Sequence, residues 1–285
     1  MTHSPEQPSA RPLGVVQIFA IGLLLGLLYW PLLAWLGRAS LQIAQLSTGA
    51  LLVVFAVIVC FQDSLSKLPL DPRLTGVGVA LLLLGLACLW LARWLPAALL
   101  PLAVFSFCAS FAAVITFLFG RAGVRQFLPA LCGFFVFGLL VGSFPTLDWP
   151  LRAMAARYAA GALAALGTPV QLLVEPGEPA QLVLRTQHGL FRVATECNGF
   201  GLLASSMLLA TILAFQYRLP WVNKIGLLSI SVPVAIVANF LRIVSICLVA
   251  PRVALPYQLV HETLGTAFYF GGLAVVWQAA RRAKG

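Results

Sequence analysis

Charge is what this sequence has least of: Asp, Glu, Lys and Arg together make up 9% of 285 residues, and only eight of them are acidic. With 61% hydrophobic residues and a mean hydropathy of +0.99, there are too few charged groups to coat a soluble domain, and the chain is at home only in lipid. The net charge of +10 has no Lys/Arg block or basic helix face behind it, so there is nothing to track phosphates and no nucleic-acid partner is expected. The cations stand singly between apolar runs, where they report topology. A CxxC pair, any Cys/His spacing for zinc, an internal repeat and a low-complexity segment are all missing. No metal or organic cofactor is indicated.

What is present is a series of apolar runs bounded by charge or proline. Eight spans are expected near 13–36, 42–61, 74–94, 97–119, 128–144, 196–215, 225–249 and 260–280. The fold class is therefore an all-α polytopic membrane protein. Residues 1–12 form a polar, Pro-rich tail, 13–144 carry five helices, 196–280 carry three, and 281–285 form a basic tail. The first run is long enough to span, so it reads as a retained helix rather than a cleaved signal peptide.

Lys and Arg give the orientation. Arg11, Lys67, Arg73, Arg121, Arg125, Arg218, Lys224, Arg281, Arg282 and Lys284 fall on one side, against Arg38, Arg93 and Arg252 in short loops on the other. Both termini are expected in the cytoplasm, in a multi-pass protein of the cytoplasmic (inner) membrane. Residues 145–195 then lie outside it. They open with a Pro-bounded turn, Phe144–Pro150, and continue as an amphipathic helix with Met154, Tyr158, Ala162 and Leu166 on one stripe. Three short strands follow, Val170–Val174, Gln181–Arg185 and Leu190–Ala194, as a flap leading into the sixth span.

Cys197 opens that span, in Thr195-Glu196-Cys197-Asn198-Gly199. The other five cysteines lie within apolar runs and are most simply small buried hydrophobes. A helix N-terminus favours thiolate, and Glu196 opposes it unless its side chain points away. Arg242 sits inside the seventh span, where a charge costs roughly 2.5–3.5 kcal/mol and faces either a cavity or, by snorkelling, the headgroups. Asn239 shares its helical face. His261 begins the eighth span, either as an interfacial polar residue or as a general acid/base, with Glu262 beside it to orient it. Arg242 is about 10 Å below the end of its span at 1.5 Å per residue, within reach of its own side chain. Cys197, Arg242 and His261 thus converge just beneath the outer surface. Gly199, Gly201, Ala204, Ser205 and Ser206 would let a substrate helix pack against the sixth span.

The stretch Phe144–Gly265 resembles the exosortase/archaeosortase family of integral membrane transpeptidases. The proline turn, surface helix, short strands, Cys197 at a helix start, Asn239-x-x-Arg242, and His261 four residues before Gly265 carry that resemblance. Family members commonly have Ser-Gly after the cysteine, where this chain has Asn198-Gly199. The resemblance implies an outward-facing Cys/Arg/His site that cuts exported proteins at a C-terminal signal. That signal comprises a short motif, commonly Pro-Glu-Pro, a transmembrane helix and a basic tail. The new C-terminus would pass through a thioester to an envelope acceptor. Two rivals stand beside this: an intramembrane cysteine protease that only hydrolyses, and a non-catalytic transporter or export-complex subunit. The absence of paired ion-relay residues weighs against proton-coupled transport.

Overall fold

The computed structural model describes residues 15–42, 44–67, 73–176, 181–187, 189–193 and 198–284. Helices α1 (Val15–Leu28), α2 (Trp30–Gln42), α3 (Ala44–Lys67), α4 (Gly76–Ala92) and α5 (Leu99–Ala165) precede strands β1 (Val170–Glu175), β2 (Gln181–Thr186) and β3 (Gly189–Val193). Helices α6 (Phe200–Gln216), α7 (Trp221–Val249) and α8 (Tyr257–Ala283) complete the chain. Among the described residues every expected apolar run is helical over most of its length, and the strands fall within a residue or so of the expected ones. Among the described residues, three helices are long and apolar enough to cross a membrane: Pro96–Ala165, Trp221–Val249 and Tyr257–Ala283. The bent pair Ala20–Leu28 and Trp30–Leu41 makes a fourth if taken as one span, whereas Leu46–Cys60, Gly76–Ala92 and Phe200–Gln216 are apolar but shorter.

Three local expectations are corrected. The first run is not one straight helix but bends by 63° between its two halves. Pro31 is the cause, since it lacks an N–H and disfavours helix at the residue before it. No multi-residue loop separates the fourth and fifth runs; the only non-helical residue inside α5 is Gly120, at φ 65° and ψ −164°. A glycine reaches that region without a Cβ clash, so one residue suffices to turn the chain. Third, Phe144–Pro150 is helix, not turn. Pro145 and Pro150 each remove one i→i−4 bond, and the segment is held as helix by packing, with Phe144 against Phe200 at 5.0 Å between ring centroids.

The chain divides into two compact units, residues 1–39 with 53–139, and residues 40–52 with 140–285. In the first, the two arms of α5 on either side of Gly120 face each other. Phe107 meets Phe134 at 4.7 Å between ring centroids, and Phe105 meets Phe135 at 6.3 Å. A buried hydroxyl chain ties α4 to α5. Tyr29 Oη lies 2.5 Å from Ser106 Oγ and 2.9 Å from Ser110 Oγ, and Ser106 donates to Gly85 O at 2.6 Å.

The second unit is built on α6, whose small residues are covered by its neighbours. Gly201, Ala204, Ser205 and Ser206 are all buried, and Tyr269 Oη donates to Ser205 Oγ at 2.6 Å. Leu202 beside them packs on Ala235 and Ala238 of α7, and Gly201 with Gly199 lines a cavity at the start of α6. The three strands form an antiparallel meander with β2 in the centre, Leu182 opposite Val193 and Val170 opposite Thr186. Leu182, Leu184 and Val193 pack with Ala155, Ala156, Ala159 and Leu163 of α5 and with Ile243, Val244 and Cys247 of α7. The small-residue stripe of the α5 end is thus its buried face, while Tyr158 and Leu166 are exposed. At the far end of the three helices, Lys224 Nζ lies over the rings of Phe215 and Trp221, at 4.2 and 4.4 Å. Arg281 covers Trp277, and Asn223 Nδ2 donates to Ala283 O at 3.1 Å. Aromatic rings paired with cations are the composition of a membrane–water boundary.

Candidate active site

Opposite that basic end, α6 and α8 begin and α7 finishes, and a cavity of about 550 Å³ opens among them. Gly199, Asn239, Arg242, His261, Glu262 and Gly265 line it. Arg242 and Asn239 are one turn apart on α7 and so share a face. Arg242 Nη2 is 3.3 Å from His261 Nε2. A guanidinium carries donors only, so in this contact His261 Nε2 is placed as the acceptor. On its other side, the His261 ring stands 5.8 Å from Tyr257, and Tyr257 stands 6.3 Å from Phe191 of β3. The sheet therefore reaches the histidine through an aromatic relay, and His261 also borders a small cleft with Leu184, Phe191 and Val193.

Two glycines make the geometry possible. A Cβ on Gly265 would stand 3.1 Å from Arg242 Nη2 and 3.2 Å from both Cζ and Nε, so the guanidinium lies against bare α8 backbone. Gly199 has φ +78°, and a Cβ there would come within 2.8 Å of the Asn239 carboxamide. The turn before α6 thus needs glycine twice over, for its left-handed backbone and for the side chain pressed against it.

Asn198 is buried, and its side chain serves the turn rather than the cavity wall. Its Oδ1 accepts from Phe200 N at 2.7 Å, and its Nδ2 donates to Asp148 Oδ1 at 2.5 Å. The other carboxylate oxygen, Asp148 Oδ2, accepts from Arg152 Nη2 at 2.5 Å. Glu262 is exposed and accepts from Gln258 Nε2 at 2.6 Å, both residues bordering the cavity. Cys197 and Glu196 lie outside the described residues, as do the expected strand end Ala194, His3 and His188. The structure thus brings Arg242, His261, Asn239 and Gly199 to one cavity. It adds Asp148 and Arg152, which the sequence reading had not singled out. Their i, i+4 spacing is an ion-pair signal only if the proline-rich segment is read as helix. Among the described residues, no three His, Cys, Asp or Glu side chains come together as metal ligands would.

The family model for the transmembrane exosortase (Exosortase_EpsH) matches residues 40–278. The chain belongs to this family. The match takes in the sheet and every residue lining the cavity. Exosortase membership and the apolar helices make this a membrane protein, and membership suggests a sorting transpeptidase acting on exported proteins. Comparison with curated proteins and with solved structures gave no match.

Proposed function

We propose that this exosortase is a membrane cysteine transpeptidase that cuts exported proteins at a C-terminal sorting signal of motif, transmembrane helix and basic tail. The observation that carries the reading is the Arg242–His261 contact inside a cavity walled by the glycine turn directly after Cys197. Cys197 acts as the nucleophile. Its thiolate attacks the scissile carbonyl carbon, and the tetrahedral oxyanion is stabilised by the Arg242 guanidinium, a fixed donor in a water-poor site. As Arg242 Nη2 turns from His261 Nε2 to the oxyanion, that nitrogen is freed to take the thiol proton and return it to the leaving amine, and a thioester remains. An amine or hydroxyl of an envelope acceptor then attacks the thioester, losing its proton to His261, and the Cys197 thiolate leaves. Water in the acceptor's place gives plain hydrolysis. Glu196 and Glu262 flank the nucleophile and the base in sequence and would tune the local charge.

The proposed topology is eight spans with both termini in the cytoplasm of the inner membrane, and the sheet and cavity on the opposite side. The far-end belt of Lys224, Arg281 and their aromatic partners supports this, since its basic residues belong to the cytoplasmic set. The test is processing of a tripartite-tail substrate in membranes, with the mass of the product's new C-terminus read directly. A product of unchanged insertion but cut near the motif and carrying added mass establishes transfer. A free carboxyl terminus establishes hydrolysis instead.

A further inference from the structure

Segment 144–152 of α5 grips the joint that carries the nucleophile. Phe144 packs edge-on against Phe200 at 5.0 Å between centroids. Four residues on, Asp148 receives Asn198 on one oxygen and Arg152 on the other, each at 2.5 Å. Asn198 is 2% exposed and Arg152 5%, so these bonds are shielded from competing water. Trp149 closes over the guanidinium, with Arg152 Cζ 5.5 Å from its ring centroid. The Asn198 amide has one orientation open to it. A carboxylate only accepts and the Phe200 N–H only donates, so Nδ2 must face Asp148 and Oδ1 must face Phe200.

We propose that Asp148 is a positioning residue for the nucleophile: through Asn198 it sets the backbone that carries Cys197. This rests on the reading of Cys197 as nucleophile. Asn198 follows Cys197 in sequence, and the two ends of its side chain tie Asn198 to α5 on one side and to the first turn of α6 on the other. The left-handed Gly199 lies between these ties, pressed on Asn239, so the turn is held from three directions. Arg152 neutralises Asp148, so this link adds no net negative charge beside a thiolate.

The test exploits the fixed donor–acceptor order. Asp148→Asn alone cannot serve both partners: with its oxygen turned to Arg152 it sets two amide N–H groups together, and with its oxygen turned to Asn198 its own NH2 meets the guanidinium. Asn198→Asp alone sets two carboxylates together. The exchange of both, Asp148→Asn with Asn198→Asp, restores every bond with the polarity reversed, including the acceptor for Arg152. In full-length enzyme in membranes, each single substitution is expected to lower kcat for processing at least tenfold, with KM within twofold. Each should also shift the rate of Cys197 alkylation by iodoacetamide, read by peptide mass spectrometry, at least threefold. The exchange variant returns both quantities to within threefold of wild type. Asn198→Ala cuts the same link while leaving the Asp148–Arg152 pair in place, and it carries the test if Asp148→Asn does not accumulate.

Wild-type kcat and alkylation in the single variants overturn the proposal, and so does an exchange variant as impaired as either single. Cys197→Ala is measured alongside. Cleavage that survives in it overturns the nucleophile reading. Cleavage lost in it, with Asp148→Asn fully active, overturns the positioning role alone.

Discussion

Arg242 Nη2 and His261 Nε2 stand 3.3 Å apart, joining the last third of α7 to the first turns of α8. A permanent donor is thereby held against a ring nitrogen that must accept, and both open onto one cavity. If that pair serves an acyl-transfer step, Arg242 supplies oxyanion stabilisation and His261 proton transfer. Removing one oxyanion donor typically costs about 10²–10³ in rate, and removing a general acid/base about 10²–10⁴. Arg242→Ala and His261→Ala are therefore expected to lower processing by at least ~100-fold at unchanged membrane insertion. Arg242→Lys should recover little, because a single ammonium cannot reproduce the planar fork. Time courses of substrate cleavage in membranes, normalised to inserted enzyme, check this.

Gly265→Ala places a methyl 3.1–3.2 Å from three atoms of the Arg242 guanidinium. The long side chain can give way, so the protein should fold and insert, but its donors leave their station. Processing is expected to fall about tenfold, the effect of misplacing one catalytic donor by a fraction of its bond energy, ~1.4 kcal/mol. Cleavage at the wild-type rate in a Gly265→Ala enzyme would show that the guanidinium's seat on α8 is irrelevant to activity.

Gly199→Ala carries two separable costs. The left-handed backbone costs a side chain roughly 1–2 kcal/mol. The clash with Asn239 comes on top, since the new Cβ would stand 2.8 Å from the carboxamide. Thermal unfolding in detergent should show a lowered Tm for Gly199→Ala. Adding Asn239→Ala should return the part of the steric cost due to the carboxamide, its Cβ remaining 3.0 Å away, and leave the backbone part.

The sheet is seated by Leu184, fully buried between α5 and α7. Leu184→Ala is expected to cost about 2–5 kcal/mol, as large-to-small substitutions in cores do. Because that core is local to the sheet, the loss should appear as faster proteolysis and hydrogen exchange in 181–193 before the helices respond. Equal protection in variant and wild type would mean that the sheet is held by something other than this core.

The apolar runs are legible in the sequence because lipid demands long, uncharged helices, and among the described residues every expected run is helical over most of its length. The strands are legible because Glu175-Pro176-Gly177-Glu178-Pro179 and the Gly189 turn punctuate β-branched stretches. What sequence misjudged is where punctuation is overridden. Pro145 and Pro150 read as a turn, yet the segment is helix, held by long-range contacts that no local signal shows, Phe144 on Phe200 and Asp148 on Asn198. That one misreading also hid Asp148 and Arg152, whose pairing exists only at helical spacing. Arg242 and His261 were recognisable singly, as a deep charge and a titratable group at a helix start. Their meeting depends on the bare backbone at Gly265, a packing fact without periodicity. Among the small residues near the start of α6, sequence cannot tell Ser205, which Tyr269 covers, from Gly199 and Gly201, which border the cavity.

The most direct measurement is processing of a tripartite-tail substrate by Cys197→Ala and Cys197→Ser enzymes in membranes, each verified as inserted at wild-type level. The account expects cleavage to vanish in Cys197→Ala and to be all but lost in Cys197→Ser, with substrate accumulating uncut. Cleavage by Cys197→Ala at anything near the wild-type rate would contradict it, because no thioester could then form at this site.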